Sequence, residues 1–227
     1  MSHSLTKRVL FEDNHLIIVN KLPGELVQGD FTGDKPLLEG VRDYIKETYN
    51  KPGNVFTGLV HRLDRPTSGI VIFAKTSKAL ARMNSLFEKR EVDKIYWAIV
   101  QGKPHPASNS LEHFLKKDSK KNKSQFFLRE VKGSKRAALS YKTIKNLDQY
   151  SVLEIKLETG RHHQIRAQLS AIKHPIKGDL KYGFSRSNKD ASICLHAKIV
   201  IFEHPVSKET IRVKAPLPTG ESIWKHI

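Results

Sequence analysis

The 227-residue chain has little cysteine and no long apolar run. Its single cysteine, Cys194, excludes a framework of internal disulfide bonds and is typical of a protein from a reducing compartment. No stretch approaches the roughly 20 apolar residues that a membrane-spanning helix requires. The first residues are not followed by an apolar segment of the kind that directs secretion. We therefore expect a cytoplasmic protein with no membrane partner.

The sequence also lacks the signatures of common cofactor sites. It contains no glycine-rich dinucleotide loop and no P-loop. The histidines and the cysteine do not have the spacing of a zinc site. The side chains considered were His61, His162, His163, His174, His196, His204 and Cys194. We therefore expect an activity that needs neither a metal nor a cofactor.

Acidic residues are scarce, because 23 Asp and Glu face 40 Lys and Arg and leave a net charge of +17. The excess is concentrated between Glu112 and Arg136, where nine basic residues accompany three acidic ones. Such a segment attracts a polyanion through contacts that weaken with salt. A solvated loop whose lysines only aid solubility is the alternative. Phe126 and Phe127 could stack on bases, but we expect them to begin a strand that packs in the core.

Hydrophobic periodicity predicts more strands than helices. Helices are expected after Pro36, over 77–90 and over 159–172, and the main strands lie in 9–20, 92–102, 138–146, 151–158, 194–203 and 210–214. Because many strands are adjacent in sequence, the pattern indicates an α+β fold with a mixed, largely antiparallel sheet flanked by helices and loops. We see no internal repeat or linker. We therefore expect a single catalytic-type domain over residues 1–227, acting as a monomer.

The nonapeptide from His61 to Gly69 is the most informative segment. It places Asp64 between Arg62 and Arg65, with strand-like apolar runs on both sides. This pattern predicts a loop on a rigid scaffold, where functional residues are often found. The flanking cations favour the charged carboxylate, which suits a nucleophile or an electrostatic stabiliser. An aspartate that caps the turn and pairs with a neighbouring arginine explains the segment equally well.

A second polar segment, Glu158–Arg166, lies where a strand is predicted to end and a helix to begin. The free N–H groups of a helix start, together with Arg161, would form a phosphate site. Neutral hydrogen-bonding groups follow at His162, His163 and Gln164. The alternative is a capped surface helix with a charged first turn.

Arg166 lies close to the apolar face of this predicted helix, so its guanidinium should be partly buried. A partly buried arginine needs a carboxylate partner, since its desolvation is otherwise uncompensated. Asp64 is the candidate partner.

Tyr96 lies in a predicted strand whose alternation puts Trp97 on one face and Tyr96 on the other. We expect the core to take the tryptophan side, which would leave Tyr96 facing a cleft. Ordinary packing of the tyrosine is the alternative.

Taken together, these segments resemble the RluA-type pseudouridine synthases, and the match runs in order through most of the chain. The motifs that carry it are His61–Asp64, Thr67–Gly69, Ala74-Lys75, Lys94–Tyr96, Thr159–Arg166, Gly178-Asp179, Tyr182-Gly183 and Leu195–Ala197. The resemblance implies the catalytic fold of that family and an RNA pseudouridine synthase activity. It implies large-subunit rRNA as the substrate, with tRNA second.

The resemblance also implies roles for single residues. Asp64 would be the catalytic nucleophile, Tyr96 would stack on the uracil and help remove its C5 proton, and Arg166 would pair with Asp64. Arg62 would contact the RNA near the flipped nucleotide. Further RNA contacts are expected at His61, Arg161, His163, Gln164, Lys116, Lys117, Lys120 and Lys121.

Two departures and two rival functions remain. Many relatives carry an N-terminal S4-type module, so here the RNA grip is expected from the domain itself, with residues 112–136 as the candidate. The family often has histidine where this chain has Gln168.

One rival function is that of a catalytically inactive RNA-binding or ribosome-assembly module on the same fold. The other is an unrelated enzyme on nucleic acid, although neither a second carboxylate near Asp64 nor a nucleotide-type glycine loop favours it.

Overall fold

The structure is a computed structural model that describes residues 5–30 and 32–227. The chain divides into two compact units: Met1–Asp93 with Ala197–Pro218, and Lys94–His196 with Thr219–Ile227. Over the described residues there are three α-helices and eleven strands, which confirms the α+β class. None of these helices is long and apolar enough to cross a membrane. The single-domain organisation stays a prediction.

The first unit is built on strands in the order β1-β2-β4-β10, with β3 paired to β4 and β11 paired to β10. The registers of β1 on β2, β2 on β4, β3 on β4 and β10 on β11 are antiparallel. The strand bounds are β1 Val9–Glu12, β2 Leu16–Lys21, β3 Gly58–Leu59, β4 Ser68–Ala74, β10 Leu195–Glu203 and β11 Thr210–Lys214. The first two residues of β10 belong to the second unit.

Two helices accompany this sheet, at the places predicted from the sequence. Helix α1, Leu37–Thr48, begins directly after Pro36 and buries Leu37, Val41, Tyr44 and Ile45. Helix α2, Ser77–Glu88, begins at Thr76, whose hydroxyl accepts a hydrogen bond from the Ala79 amide at 3.1 Å. A threonine cap of this kind satisfies an amide that the helix itself leaves without a partner.

The second unit has strands in the order β5-β9-β8-β6-β7, and all four pairings are antiparallel. The element bounds are β5 Asp93–Gln101, β6 Ser108–Asp118, β7 Lys123–Phe127, β8 Lys135–Asn146, β9 Tyr150–Leu157 and α3 Gln164–Ala171. Short 3-10 turns follow at Leu180–Tyr182 and Ser222–His226. A small core cluster joins Leu115, Ala137, Ala167 and Tyr182.

Gln168 of α3 anchors the helix to this sheet. Its side chain is fully buried, and its amide nitrogen donates to the carbonyl oxygens of Leu111 at 3.2 Å and Ala137 at 3.1 Å. The same nitrogen lies 3.1 Å from Nδ1 of His113. A glutamine therefore fills the position where the resembling family often has histidine, and its role here is to connect two strands to the helix.

The basic segment forms the β6–β7 hairpin, the connection 128–134 and the start of β8, so it is not one continuous loop. The alternative that its lysines only aid solubility is not tested by this arrangement. The register pairs Leu115 with Phe126 and Lys117 with Ser124. The expectation that Phe126 packs in the core is wrong, because 44% of the residue is exposed. The reason is its place at the end of β7, which is the last strand in the order of this sheet and has a neighbouring strand on one side.

Candidate active site

Asp64 lies on the loop that joins β3 to β4, as the nonapeptide predicted. The residue is half-buried, whereas Arg62 beside it is exposed. The Asp64 carbonyl oxygen accepts the Thr67 amide at 3.0 Å and closes a turn within the loop. The backbone of Asp64 thus makes the turn, and its half-buried side chain projects from a fixed backbone position.

The buried side chain of Lys21 holds this loop in place. Its side chain is fully buried at the end of β2, and its ammonium donates to the carbonyl oxygens of Leu22, Arg65 and Thr67 at 2.9, 3.0 and 2.6 Å. An ammonium carries three N–H groups, so all three carbonyls have a donor. Burial lowers the pKa of Lys21 to about 7, although the negative charges of Glu25 and Asp64 oppose this shift.

Lys21 was not among the residues predicted from the sequence. The residue ends an apolar strand, Leu16–Lys21, and a lysine next to such a run is usually read as the polar end of the strand. Its partners at Arg65 and Thr67 are 44 and 46 residues away in sequence. The signal available was a lysine two residues after the apolar run Leu16–Val19, on the same side of the strand as Val19.

The loop leads into Gly69 of β4, a position that accepts only glycine. Its φ is +112°, and a Cβ there would lie 2.3 Å from the carbonyl oxygen of Ala197 on the neighbouring strand. Any side chain would therefore displace the backbone of β10 or of the loop. This close approach fixes the end of the loop, where it enters β4, against the backbone of β10.

His61 also holds the loop to its scaffold. Its Nε2 accepts the Ile72 amide of β4 at 3.2 Å, and its ring stacks on Phe87 of α2 with centroids 5.2 Å apart. The half-buried imidazole thus connects the loop, the sheet and the helix. Its predicted contact with RNA stays a prediction, and its geometry gives it a positioning role.

Arg65 does not pair with Asp64, which removes one version of the turn-capping alternative. Its guanidinium donates to Asp34 at 2.6 Å and to the Gly24 carbonyl oxygen at 3.0 Å. The Gly24 amide donates in return to the Arg65 carbonyl oxygen at 2.8 Å. Arg65 therefore ties the loop to the segment that follows β2.

In the second unit, Tyr96 is on the buried side of β5, and the expectation that Trp97 takes the core is wrong. Tyr96 is only 8% exposed. It pairs with the buried Ile155 of β9, whereas Trp97 pairs with Glu154 and donates its indole N–H to that carboxylate at 3.3 Å. Directly opposed residues of antiparallel strands share a face. The apolar face of β9 therefore decides which side of β5 is buried.

Helix α3 begins at Gln164, five residues later than predicted, so the expected phosphate site at a helix start near Arg161 is not built in that form. His163 precedes the helix in the left-handed region, with φ of 51°. The Arg161 side chain donates through Nε to the Arg136 carbonyl oxygen at 2.9 Å. The segment before the helix is therefore an irregular turn.

Hydrogen bonds of the Gln164 side chain stabilise this turn. Its side-chain oxygen accepts the Arg161 amide at 2.9 Å and the Thr159 hydroxyl at 2.7 Å. Its amide nitrogen donates to the Ala138 carbonyl oxygen at 3.0 Å. Gln164 is buried, so the structure places it inside the unit, and its predicted contact with RNA stays untested.

His163 is buried as well, with its Nδ1 3.0 Å from the hydroxyl of Tyr182. That hydroxyl also accepts the Ser124 amide at 2.7 Å, so one tyrosine oxygen joins the histidine to β7. Burial lowers the pKa of His163 to about 2, and the nearby charge of Arg166 adds to the shift. A neutral imidazole at this depth shapes the turn, while its predicted contact with RNA stays a prediction.

Arg166 is buried and has the carboxylate partner that its burial requires. Nε and Nη2 donate to the two oxygens of Asp179 at 2.7 and 2.8 Å. The guanidinium carbon also lies 5.0 Å from the centre of the Tyr182 ring. The partner predicted from the sequence was Asp64, and Asp179 was not predicted, although Gly178-Asp179 is one of the motifs that carry the family resemblance. The pairing with Asp64 stays a prediction.

The lysines predicted to bind RNA, at positions 116, 117, 120 and 121, are exposed on the β6–β7 hairpin. The tip of the hairpin is attached to the α3 turn, because Oδ1 of Asn122 lies 3.1 Å from Nε2 of His162 and the Ser124 hydroxyl donates to the His162 carbonyl oxygen at 2.7 Å. Lys181 donates to the Asn122 carbonyl oxygen at 3.1 Å. The charged hairpin is therefore connected to the segment that carries Arg166.

Among residues 5–30 and 32–227, no group of three or more His, Cys, Asp or Glu side chains is arranged to hold a metal ion. Cys194 is buried, and burial raises the pKa of its thiol to about 12. A thiol in this state is a poor nucleophile. With the Cys194 thiol unsuited to attack, the Asp64 carboxylate is the candidate nucleophile.

Comparison with known proteins gives a consistent result. Residues 15–171 match the family model described as RNA pseudouridylate synthase. Ribosomal large subunit pseudouridine synthase C of Buchnera aphidicola is 34% identical over 223 residues, covering 95% of this chain and 69% of the relative. tRNA pseudouridine synthase C of Vibrio cholerae is 29% identical, covering 96% of this chain and 93% of the relative.

Among solved structures, human RNA pseudouridylate synthase domain containing 4 has the same fold. It matches with a TM-score of 0.82 and 23% identity over 99% of this chain and 93% of the human chain. The family match includes the positions of Asp64, Tyr96 and Arg166. The chain therefore belongs to the RluA-type family of RNA pseudouridine synthases, isomerases that modify RNA.

Proposed function

We propose that the protein converts a specific uridine of large-subunit rRNA to pseudouridine, with Asp64 as the nucleophile. The observation that carries the proposal is the half-buried Asp64 on a loop whose following residues are held by buried Lys21. A carboxylate held in this way is preorganised for attack, which is how enzymes lower the cost of reaching the transition state.

The reaction is an isomerisation with no net oxidation or reduction. The N1–C1′ bond of uridine breaks, the uracil turns, and a C5–C1′ bond forms. The C5 proton is lost and N1 gains a proton, so atoms and charge balance. Asp64 acts by attack on the base or on the sugar, or by removal of a ribose proton, and Tyr96 contacts the uracil and assists the loss of the C5 proton.

RNA binding follows from the charge of the exposed groups. The target base must leave its stack to reach a half-buried carboxylate. Arg62 is exposed next to Leu63 and Asp64, and we assign to it the space vacated by the flipped nucleotide. The exposed lysines of the β6–β7 hairpin contact phosphates, which predicts affinity that falls steeply with salt.

Two RNA classes are supported by different observations. The match to the large-subunit rRNA enzyme of Buchnera has the higher identity, 34%. The match to the tRNA enzyme of Vibrio cholerae spans 93% of that relative against 69% for the rRNA enzyme. We propose rRNA as the substrate and tRNA as the second candidate. We further propose that the protein acts in the cytoplasm as a monomer, which sedimentation at micromolar concentration tests.

Release of tritium from RNA labelled at uracil C5 tests the activity. Wild-type protein should release tritium from rRNA of a strain that lacks the protein, and Asp64→Asn should reduce the rate by at least about 1000-fold because the nucleophile is lost. Asp148→Asn is the matched control, since this carboxylate is exposed in the turn between β8 and β9.

Each outcome has one meaning. Full activity of Asp64→Asn would show that another group is the nucleophile. Absence of tritium release from both rRNA and tRNA would favour the inactive RNA-binding module. Mapping of the pseudouridines that a deletion strain loses then identifies the RNA, and a loss in tRNA alone would overturn the rRNA assignment.

A further inference from the structure

The second unit contains a cavity between β7 and α3 that the reaction does not use. Its volume is about 320 Å³. The residues that line it are Lys123, Ser124, Gln125, Phe126, Phe127, Ala167, Ser170 and Tyr182. Neither Asp64 nor Tyr96 is among them. We call it the β7–α3 cavity.

Three of the lining side chains are aromatic, and a cation accompanies them. Phe126 is 44% exposed, so part of its ring is open to a ligand. The ammonium of Lys123 lies 5.0 Å from the centre of the Tyr182 ring. Exposed aromatic faces beside basic groups are how proteins bind unpaired nucleotides without reading their sequence.

Hydrogen bonds fix the walls of the β7–α3 cavity. The Ser124 amide donates to the Tyr182 hydroxyl at 2.7 Å, and the Ser170 hydroxyl donates to the Tyr182 carbonyl oxygen at 2.7 Å. The strand, the helix and the 3-10 turn are therefore joined around one ring. The Phe126 ring meets His113 edge to face, with centroids 5.7 Å apart. A ligand would enter a site that is already shaped.

The charge around the cavity selects a polyanion. The hairpin that forms one wall carries five lysines and one aspartate over residues 116–123. Lys117 is opposite Ser124 in the register and so lies on the same face as Ser124. An apolar peptide needs no such charge, whereas the phosphates of RNA do.

We propose that the β7–α3 cavity binds one unpaired base of the RNA substrate other than the target uridine, with Phe126 as the stacking platform and Lys117 and Lys123 on the adjoining phosphates. The proposal rests on RNA being the substrate and extends the grip on it. A second base held at a fixed place would set which uridine of a loop is presented to Asp64.

Binding of two fluorescein-labelled probes tests this directly. One probe is a ten-nucleotide RNA of adenosine only, and the other is a ten-unit ribose phosphate chain without bases. Neither contains uridine, so neither engages the chemistry at Asp64. Wild-type protein should bind the adenosine probe about 5- to 100-fold more tightly than the abasic probe, which is the range expected for a stacked base.

Variants separate stacking from charge. Phe126→Leu should reduce the affinity for the adenosine probe to that for the abasic probe, while Phe126→Trp keeps the preference. Lys117→Gln should weaken both probes equally and lower the slope of log affinity against log salt by about 0.7. Leu128→Ala is the matched control, since Leu128 is 79% exposed just beyond β7 and does not line the cavity.

The proposal fails if wild-type protein binds both probes equally, the result expected of a cavity that takes a protein side chain. It also fails if Phe126→Leu keeps the preference with an unchanged melting temperature. The tritium assay is independent of these measurements. Preference for the adenosine probe without tritium release would leave the cavity proposal standing while the proposed function fails, and the reverse pattern would do the opposite.

Discussion

The Asp64 loop, residues 60–67 between β3 and β4, and the Arg166 segment, residues 158–166, are held in place by different means. In the first unit, a single buried ammonium on Lys21 collects backbone carbonyls, and the ion pair of the loop, Arg65 with Asp34, is 45% and 54% exposed. In the second unit, the guanidinium of Arg166 binds the carboxylate of Asp179, and the two side chains are only 6% and 1% exposed. A buried cation on backbone carbonyls thus positions the loop, whereas a buried pair of opposite charges positions the segment.

The strongest way to break this comparison is to remove one charge from each ion pair. Asp179→Asn should lower the free energy of unfolding by about 3–5 kcal/mol, because it removes the charge of the carboxylate that binds the buried Arg166 guanidinium through two hydrogen bonds. Asp34→Asn should lower it by less than about 1 kcal/mol, since the pair with Arg65 is exposed to solvent. Urea unfolding of both variants at one salt concentration is the measurement, and equal losses would contradict the contrast between the two regions.

Gly69→Ala tests the close contact at the end of the Asp64 loop. The added Cβ would meet the Ala197 carbonyl at 2.3 Å while the residue has φ of +112°, so we expect a loss of about 3 kcal/mol in the free energy of unfolding. Gly183→Ala is matched for backbone strain, with φ of +99° and nothing within 4 Å of its Cβ, and should cost about 1 kcal/mol. A similar loss for both would mean that strain, and not the contact with β10, sets the need for glycine.

The Arg166 segment should also show a pH dependence that comes from His163. Its pKa is about 2 in the folded protein and about 6.5 when unfolded, so the unfolded chain binds the proton first as pH falls. The contribution of His163 is therefore complete above about pH 6.5 and declines below it by about 1.4 kcal/mol per pH unit.

Urea unfolding between pH 6.5 and 5 measures this effect. Wild type should lose about 1.5–2 kcal/mol more than His163→Asn, a variant that tolerates the left-handed backbone at this position. His226→Asn, at an exposed histidine, should behave as wild type. Identical pH dependence in wild type and His163→Asn would show that the imidazole is not held neutral in the fold.

Lys21→Met gives the smallest expected effect and the most specific one. The variant keeps the length and apolar stem of the side chain but removes the donors to Leu22, Arg65 and Thr67. A loosened loop should reduce kcat about 10-fold and leave KM for RNA unchanged, because misplacement of a reacting group costs rate more than binding. Lys198→Met is the control, since Lys198 is another buried lysine that donates to a backbone carbonyl, that of Ala215. A change in KM alone would show that Lys21 serves RNA binding.

Most elements could be predicted from the sequence because they depend on local patterns. The alternation of Leu153 and Ile155 with polar residues marks β9, and the threonine cap marks the start of α2. The side of β5 that is buried could not be read from β5 alone, because Tyr96 and Trp97 are both large and apolar. Only the pairing with β9 decides it.

Site residues divide in the same way. The motifs around Asp64 and Arg166 were visible as unusual charges in apolar surroundings. The partners of those residues were not, because Lys21 reaches Thr67 across 46 residues and no local pattern encodes that distance. The late start of α3 had a similar cause: the Gln164 side chain binds Thr159 and Ala138 and stops the helix from extending backwards.

The attachment of the hairpin tip through Asn122 and Ser124 has a consequence for association with RNA. A loop that becomes ordered only in the complex loses its backbone conformational entropy at the moment of binding, and this loss weakens the affinity. Here Lys181 and Tyr182 hold the hairpin backbone at Asn122 and Ser124 in the free protein, and His162 holds the Ser124 side chain. The backbone entropy is therefore lost when the protein folds, and binding of RNA restricts only the lysine side chains.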